Sequence, residues 1–242
     1  MNLRAHCALL LVPALLATTG CDGHRVATVE REYDIGEVNE LLLDQQSGDL
    51  VIHGEEGRES VKLIVELRSR RVSDRQDDAA KDSLRLGFNA LDDNSGRILA
   101  GLDNPPNGYH LDVVALVPAD SVLLVDDDSG DVLIENVAGL VLSDGSGDVA
   151  ISDIAGDVLI NDSSGDISVD HVGGDVEIDD RSGDIAVRNV GGDADVEDRS
   201  GDIAIINIEG MATVRDRSGD IAIVNAGDAR VVSDTSGDVS IN

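Results

Sequence analysis

The stretch SGDIAVRNVGGDADVEDR, residues 182–199, decides the fold because it contains one complete copy of the repeat that fills the second half of the chain. It consists of two nine-residue units, which begin with Ser-Gly-Asp and Gly-Gly-Asp. Gly183 permits a tight turn. Ile185 and Val187 follow with one residue between them, so both side chains point to the same face of a short strand. Each unit therefore predicts a turn and then a short strand that is buried on one side.

The Ser-Gly-Asp tripeptide recurs with a nearly constant spacing, 17 residues once and 18 residues five times. Its copies start at Ser129, Ser146, Ser164, Ser182, Ser200, Ser218 and Ser236. A half-period of nine residues is too short for a helical repeat and too regular for a globular sheet. The pattern predicts an all-β fold, a parallel β-solenoid with 18-residue coils and two short strands per coil. Its coils would stack about 4.8 Å apart and enclose aliphatic side chains.

The repeat divides the chain into three predicted parts. Residues 129–242 form the regular β-solenoid repeats, and residues 1–20 form a signal peptide. Residues 21–128 are less regular, although a Ser-Gly-Asp tripeptide begins at Ser47 and SVKLIVELRS, residues 60–69, alternates like a strand. We interpret residues 21–128 as the irregular N-terminal part of the same solenoid, with a separate small N-terminal domain as the alternative.

The N-terminal sequence MNLRAHCALLLVPALLATTGC predicts export from the cytoplasm. A basic residue, Arg4, precedes an apolar run that is too short to span a membrane. The ending Gly20-Cys21 resembles the lipobox of bacterial lipoproteins, in which the signal is removed before an acylated cysteine. Thr18 departs from that pattern, where Leu, Val or Ile is usual. The resemblance implies lipid attachment at Cys21 and a bacterial cell-envelope location, with the inner and the outer membrane both open. A free Cys21 after ordinary signal cleavage is the alternative.

The charge of the chain excludes one class of partner. It has 49 acidic and 18 basic side chains, a formal net charge of −31. Nucleic acid is excluded because phosphate binding needs clustered Lys and Arg. A bare anionic membrane surface is disfavoured for the same reason, so membrane contact is expected through the lipid anchor alone. Cations and basic proteins remain compatible with this charge.

The repeats carry a family resemblance. The segment VALVPADSVLLVDDDSGDVLIENVAG, residues 114–139, and the recurring SGDI and GGDV units resemble the bacterial putative-adhesin family, a β-strand-repeat domain of unknown function found in envelope proteins. The likeness covers roughly residues 40–242. It implies a β-solenoid at the cell envelope, and it implies adhesion only through the family's name.

Stacking the coils in register produces columns of aspartate. The first column contains the Asp of each Ser-Gly-Asp, namely Asp131, Asp148, Asp166, Asp184, Asp202, Asp220 and Asp238. A further column at the far end of the units is predicted to contain Asp153, Asp162, Asp180, Asp198, Asp216 and Asp234. Carboxylates about 4.8 Å apart repel by ~3.5 kcal/mol at an effective permittivity of 20. We expect backbone N–H groups within the same turn to offset this repulsion.

Calcium is the alternative explanation of the acidic columns, with Asp184, Asp202 and Asp220 as candidate ligands. Ca²⁺ takes several oxygen ligands. The calcium-binding nonapeptide of RTX proteins, however, has Gly at its fourth and Asp at its sixth position. Counted from Gly173, those positions hold Val176 and Ile178 here. Turn capping is therefore preferred, and no cofactor is assigned.

The sequence favours a binding role over catalysis. It has no nucleophile elbow, phosphate-binding loop or zinc-ligand spacing. The carboxylates belong to the repeat, so no pair stands out as the acid and base of a glycosidase. We predict that the chain is not an enzyme but a lipid-anchored envelope binding or scaffold module with an acidic repetitive surface, adhesin-like in character. The alternatives are a calcium-dependent surface protein and a carbohydrate-active solenoid enzyme.

Two kinds of partner are predicted besides the membrane. An envelope protein or a polysaccharide would bind to the repetitive surface. The strand that begins at Val239 would also leave an unpaired edge, because the sequence given stops at Asn242. We expect self-association through this C-terminal edge, with protection of the edge by twist and by Asp238 as the alternative.

Overall fold

The computed structural model describes residues 24–70 and 74–242, so the predicted signal peptide and Cys21 lie outside the described residues. The elements in chain order are β1 (His24–Asp34), β2 (Glu40–Gln45), β3 (Leu50–Glu55), β4 (Ser60–Ser69), α1 (Asp74–Ser83), β5 (Leu84–Ala90), β6 (Ser95–Leu102), β7 (Tyr109–Pro118), β8 (Val122–Asp127), β9 (Val132–Glu135), β10 (Gly139–Asp144), β11 (Val149–Ile154), β12 (Val158–Asn161), β13 (Ile167–Val172), β14 (Val176–Asp179), β15 (Ile185–Val190), β16 (Ala194–Glu197), β17 (Ile203–Arg215), β18 (Ile221–Ser233) and β19 (Val239–Ile241). Within residues 24–70 and 74–242, no helix has the length and apolar character needed to cross a membrane.

The second half of the chain is a parallel β-solenoid of about seven turns, as the repeat predicts. Strands one coil apart pair in parallel and in register, so that Ile167 lies beside Ile185 and Val169 beside Val187. Each coil contributes one strand to each of two sheets. The sheets are joined at the end of the regular part by β17 and β18, which run through both. The 18-residue coil is therefore confirmed.

The core between the two sheets consists almost entirely of aliphatic side chains. Ile185 and Val187 are buried, as their spacing predicts, but Val190 is buried as well. Asn189 lies between them with φ of +54°, in the left-handed region that Asn tolerates better than most residues. This residue bends the strand and changes its phase. The strand therefore has a third inward-facing side chain, which simple alternation does not predict.

Glycine is required where neighbouring coils approach most closely. Gly183 has φ of +148°, and a Cβ atom at this position would collide with the carbonyl oxygen of Gly165 in the preceding coil. Glycine is therefore required in the Ser-Gly-Asp turns both by the close contact with the preceding coil and by the backbone conformation.

The N-terminal part joins the solenoid in an order that differs from the chain order. The coil formed by β2 and β3 lies between the coil formed by β6 and β7 and the coil formed by β8 and β9. The first sheet then continues through antiparallel pairing of β7 with β4 and of β4 with β1. The second sheet ends with β5, antiparallel to β6. The sequence pattern does not predict this insertion, and the division at residue 128 stays a prediction.

Candidate functional site

The Asp side chains of the Ser-Gly-Asp turns form a ladder that links one coil to the next. The Oδ1 atom of Asp184 accepts the backbone N–H of Asp202 at 2.9 Å, and Asp202 accepts the N–H of Asp220 at 2.8 Å. Asp220 accepts the N–H of Asp238 at 2.9 Å. The expectation that these carboxylates cap their own turn is wrong, because the donors belong to the next coil. Each bond offsets part of the carboxylate charge and fixes the spacing of the coils.

The same ladder limits what the candidate calcium ligands can offer. Asp184, Asp202 and Asp220 are exposed, and each has one oxygen already committed to the next coil. Ca²⁺ takes six to eight oxygens, as a rule. Within residues 24–70 and 74–242, no group of three or more His, Cys, Asp or Glu side chains has an arrangement that could hold a metal ion. Calcium binding by these three residues stays a prediction.

A second aspartate column lies inside the same Ser-Gly-Asp turns, two residues before each Ser. Its members Asp127, Asp144, Asp162, Asp180, Asp198 and Asp216 are at most 4% exposed. Here the carboxylate does cap its own turn, because Oδ1 of Asp180 accepts the N–H of Ser182 at 3.2 Å. In this buried aspartate column, Oδ2 of Asp144, Asp162, Asp180, Asp198 and Asp216 has no hydrogen-bond partner among the described residues.

Burial changes the ionisation of Asp127, Asp144 and Asp198 in this column. It raises the pKa of Asp127 to about 8, with repulsion from Asp144 adding to the effect. Burial raises the pKa of Asp144 to about 6 against the opposing effect of turn N–H donors, and Asp162 adds repulsion. It also raises the pKa of Asp198 to about 6, with repulsion from the carboxylates one coil away. Part of the column therefore holds protons near neutral pH.

The predicted far-end column is wrong as one group, because the structure divides it between two environments. Asp162 and its equivalents occupy the buried turn. Asp153 lies instead at the opposite corner of the coil with φ of +56°, in the same position as His171 one coil later and Asn189 two coils later. The sequence signal that separates the two columns is their composition, since the left-handed corner positions of successive coils hold Asn, Asp or His, whereas the six buried turn positions all hold Asp.

The left-handed corner carries a ladder of side-chain amides, which we call the corner ladder and define as Asn189, Asn207 and Asn225. The Nδ2 atom of Asn207 donates to Oδ1 of Asn189 at 2.9 Å, and Nδ2 of Asn225 donates to Oδ1 of Asn207 at 2.8 Å. The first amide of the ladder donates to Oδ1 of Asp170 at 2.7 Å. Amides therefore repeat along the stack with the spacing of the coils, about 4.8 Å.

A groove of about 710 Å³ runs beside the corner ladder, from His171 to Gly227. We call it the corner groove. Glu209 is the one carboxylate among the described residues that line it. The groove has the volume of a typical small-molecule site, but equivalent residues of four successive coils line it. Its shape suits an extended ligand with a repeating unit, and sequence reasoning missed it because no unusual residue marks it.

The C-terminal edge is exposed in the structure. The strand β19 pairs with β18 and with no other strand of residues 24–70 and 74–242. Val239 and Ile241 are 46% and 49% exposed. Self-association through this edge stays a prediction.

Comparison with known proteins bears on this solenoid as a whole. The family model described as Toastrack DUF4097 matches residues 38–242. The chain belongs to the Toastrack DUF4097 family. The match includes β2, β3 and all the strands that follow them, so the Toastrack domain includes most of the irregular N-terminal part. It confirms the resemblance that the repeats indicate. No curated protein matches the chain.

Three solved bacterial structures are similar to this chain over most of its length. A "putative adhesin" from Parabacteroides merdae is 11% identical with a TM-score of 0.48, and the match covers 88% of this Toastrack chain and 96% of the other. A "putative lipid binding protein" from Parabacteroides distasonis is 14% identical with a TM-score of 0.45 and the same coverage. A "putative adhesin" from Bacteroides fragilis is 13% identical with a TM-score of 0.32, over 89% and 96% of the two chains.

Proposed function

We propose that this Toastrack protein is a lipid-anchored binding module of the bacterial cell envelope that holds an extended polysaccharide in the corner groove. The observation that carries the proposal is the corner ladder, which places amide groups at a regular spacing along an open groove. Side-chain amides donate and accept hydrogen bonds, as the hydroxyl groups of sugars also do. A repetitive ligand would therefore make the same contact at each coil and gain affinity through multivalency.

The charge of the chain favours one class of polysaccharide. With a net charge of −31, the protein would repel an anionic polymer. A neutral or amino-sugar polymer would meet no such repulsion. The described residues that line the corner groove also include no Phe, Tyr or Trp, so each sugar would be held weakly and the polymer would be bound mainly through several units.

The proposal assigns no reaction to the groove. Glycoside hydrolysis generally uses two carboxyl groups on either side of the scissile bond. Glu209 has no second carboxylate beside it in the groove lining. Binding without turnover is therefore the expected outcome when the protein is incubated with a polysaccharide that it holds.

The experiment compares substitutions at positions that share a left-handed backbone conformation. Asn189→Gly with Asn207→Gly removes two rungs of the corner ladder, and glycine keeps the left-handed conformation without strain. Asn136→Gly is the matched control, because Asn136 has φ of +58° but lies outside the groove. Binding of the membrane-anchored chain to a panel of envelope polysaccharides should fall at least tenfold in the double variant and stay unchanged in the control. Equal binding by all three proteins would overturn the proposal.

The lipid anchor is tested separately. Cys21→Ser in the full-length chain should abolish incorporation of labelled palmitate and release the protein from the membrane fraction. If the wild-type chain incorporates no labelled palmitate and still stays in the membrane fraction, the lipid anchor at Cys21 is contradicted. That result would leave the groove experiment intact, since the two observations are independent.

A further inference from the structure

The end of the solenoid at β1 and β5 contains an open cavity. The first sheet ends with β1 and the second with β5, and these two strands are not hydrogen-bonded to each other. A cavity of about 450 Å³ opens between them, below α1. We call it the end cavity. It is separated along the stack from the corner groove by several coils, because the groove begins at His171.

The wall of the end cavity is aliphatic. It is formed by Ala27, Val29, Leu67, Leu84 and Leu86. These side chains belong to the core or pack against it, yet all of them except Leu67 are only half-buried. Core surface is thus left uncovered where the two sheets part. Moving a hydrocarbon chain from water onto this surface is favourable for each methylene buried.

Two cationic side chains, Arg31 and Lys81, also line the end cavity. Both residues are exposed, so the charges can lie at its mouth. Arg31 donates to the carbonyl oxygen of Glu30 at 2.8 Å, and it forms no ion pair within the described part of the chain. Lys81 contacts Asp78 at 3.3 Å, and both of these side chains are exposed to water. Two cationic side chains therefore lie beside an apolar wall in a chain that has 49 acidic residues.

The neighbouring carboxylates of β1 are occupied elsewhere. Glu30 and Glu32 flank Arg31 and point to the other face of the strand, because strand side chains alternate. Glu30 pairs with Lys62 at 3.0 Å, and Glu32 pairs with Arg58 at 3.1 Å. They therefore leave the positive charge of Arg31 available on the cavity side.

We propose that the end cavity binds a single long-chain fatty acid. The alkyl chain would lie against the aliphatic wall, and the carboxylate would be placed between Arg31 and Lys81. A guanidinium and an ammonium group both form charge-assisted hydrogen bonds with a carboxylate. The volume of the cavity is near the lower end of the range of ligand sites, which favours one chain over a two-chain phospholipid.

The test uses the full-length protein in its membrane and a photoreactive long-chain fatty acid. Irradiation should attach the probe to β1 or β5, and mapping of the labelled peptides distinguishes this site from acylation at Cys21. Excess dodecanoate should compete with the probe. A photoreactive two-chain phosphatidylglycerol should not label β1 or β5.

Two pairs of variants make the result specific. Arg31→Glu with Lys81→Glu reverses the charge at the mouth and should reduce labelling at least tenfold. Arg188→Glu with Arg199→Glu makes the same change of charge on the regular coils and should leave labelling unchanged.

A cavity-filling change tests the aliphatic wall without altering charge. Ala27→Trp should also reduce labelling, because the indole ring would take the place of the alkyl chain. Circular dichroism and melting temperature establish that each variant is folded. The proposal is overturned by probe spread over the regular coils, by labelling with the phospholipid alone, or by equal labelling of the two charge-reversed proteins.

Discussion

The regular coils and the N-terminal end of this molecule belong to the same two sheets, but they differ in the order and the direction in which their strands pair. From β10 onward, each strand lies beside the strand one coil earlier in the chain, so stability comes from contacts between equivalent residues. At the N-terminal end the chain order and the spatial order differ, and three of the strand pairings are antiparallel. An 18-residue spacing therefore determines the strand pairing only where each strand can pair with the equivalent strand of the preceding coil.

The two regions also differ in the surfaces that they offer. The regular coils repeat one set of polar groups, so any site on them is extended and multivalent. The N-terminal end does not repeat, and its cavity combines two cations with an aliphatic wall. A polymer suits the first surface, and a single small ligand suits the second.

The largest effect on stability is expected from a glycine substitution in the regular coils, compared with one in the N-terminal part. Gly183→Ala should destabilise the protein by about 3 kcal/mol, because a left-handed conformation is strained for Ala and the new Cβ atom collides with the coil below. Gly101→Ala in β6 is the matched control, since nothing lies within 4 Å of its Cβ position. Denaturant unfolding should show almost no change for the control. Equal losses would mean that the coils do not approach as closely as the structure indicates.

The next effect is an unusual dependence of stability on pH. In the buried aspartate column, burial raises the pKa values of Asp127, Asp144 and Asp198, so the folded protein binds more protons than the unfolded chain above the ordinary pKa of Asp. Stability should therefore be greatest at mildly acidic pH and fall as the pH rises through about 6 and then 8. The melting temperature measured from pH 5 to pH 9 checks this sign.

One substitution assigns the pH dependence to the column. Asp198→Asn keeps an oxygen that can accept the turn N–H groups but removes a group that titrates. It should flatten the decline in stability between pH 5 and pH 7. Asp184→Asn, on the exposed ladder, is the control. A flatter curve in the control and not in Asp198→Asn would show that the buried column is not the source.

The smallest expected effect is that of calcium. Because each ladder carboxylate has one oxygen committed to the next coil, saturating calcium should raise the melting temperature by less than about 2 °C, which is near 1 kcal/mol or below for a chain of this size. A rise of 10 °C that disappears in the combined Asn variants of Asp184, Asp202 and Asp220 would establish the calcium alternative instead.

Much of the fold could be predicted from local repetition. A strand that pairs with the preceding coil needs only two inward-facing aliphatic side chains and the glycine of its turn. Ile185, Val187 and Gly183 show this directly. Val190 could not be predicted by alternation, since its inward orientation depends on the left-handed conformation of Asn189. The insertion of β2 and β3 between two later coils was also beyond the sequence, because long-range pairing leaves no periodic signal.

The candidate sites were less predictable than the fold for a related reason. Asp153 and Asp162 look alike in the sequence, and only the bend of the coil sends one to an exposed corner and the other into a buried turn. The corner groove and the end cavity are made of ordinary residues, and their character comes from shape and from the neighbours that the fold brings together.

Deleting one coil tests the stacked-coil architecture most directly. Removing residues 182–199 takes out both strands of a coil and should leave a shorter solenoid with an all-β circular dichroism spectrum and cooperative unfolding. Removing residues 182–190 takes out one strand alone and should misalign every later coil, with loss of the unfolding transition of the C-terminal part. If both deletions unfolded the protein equally, or if both left it intact, independent stacking of 18-residue coils would be contradicted.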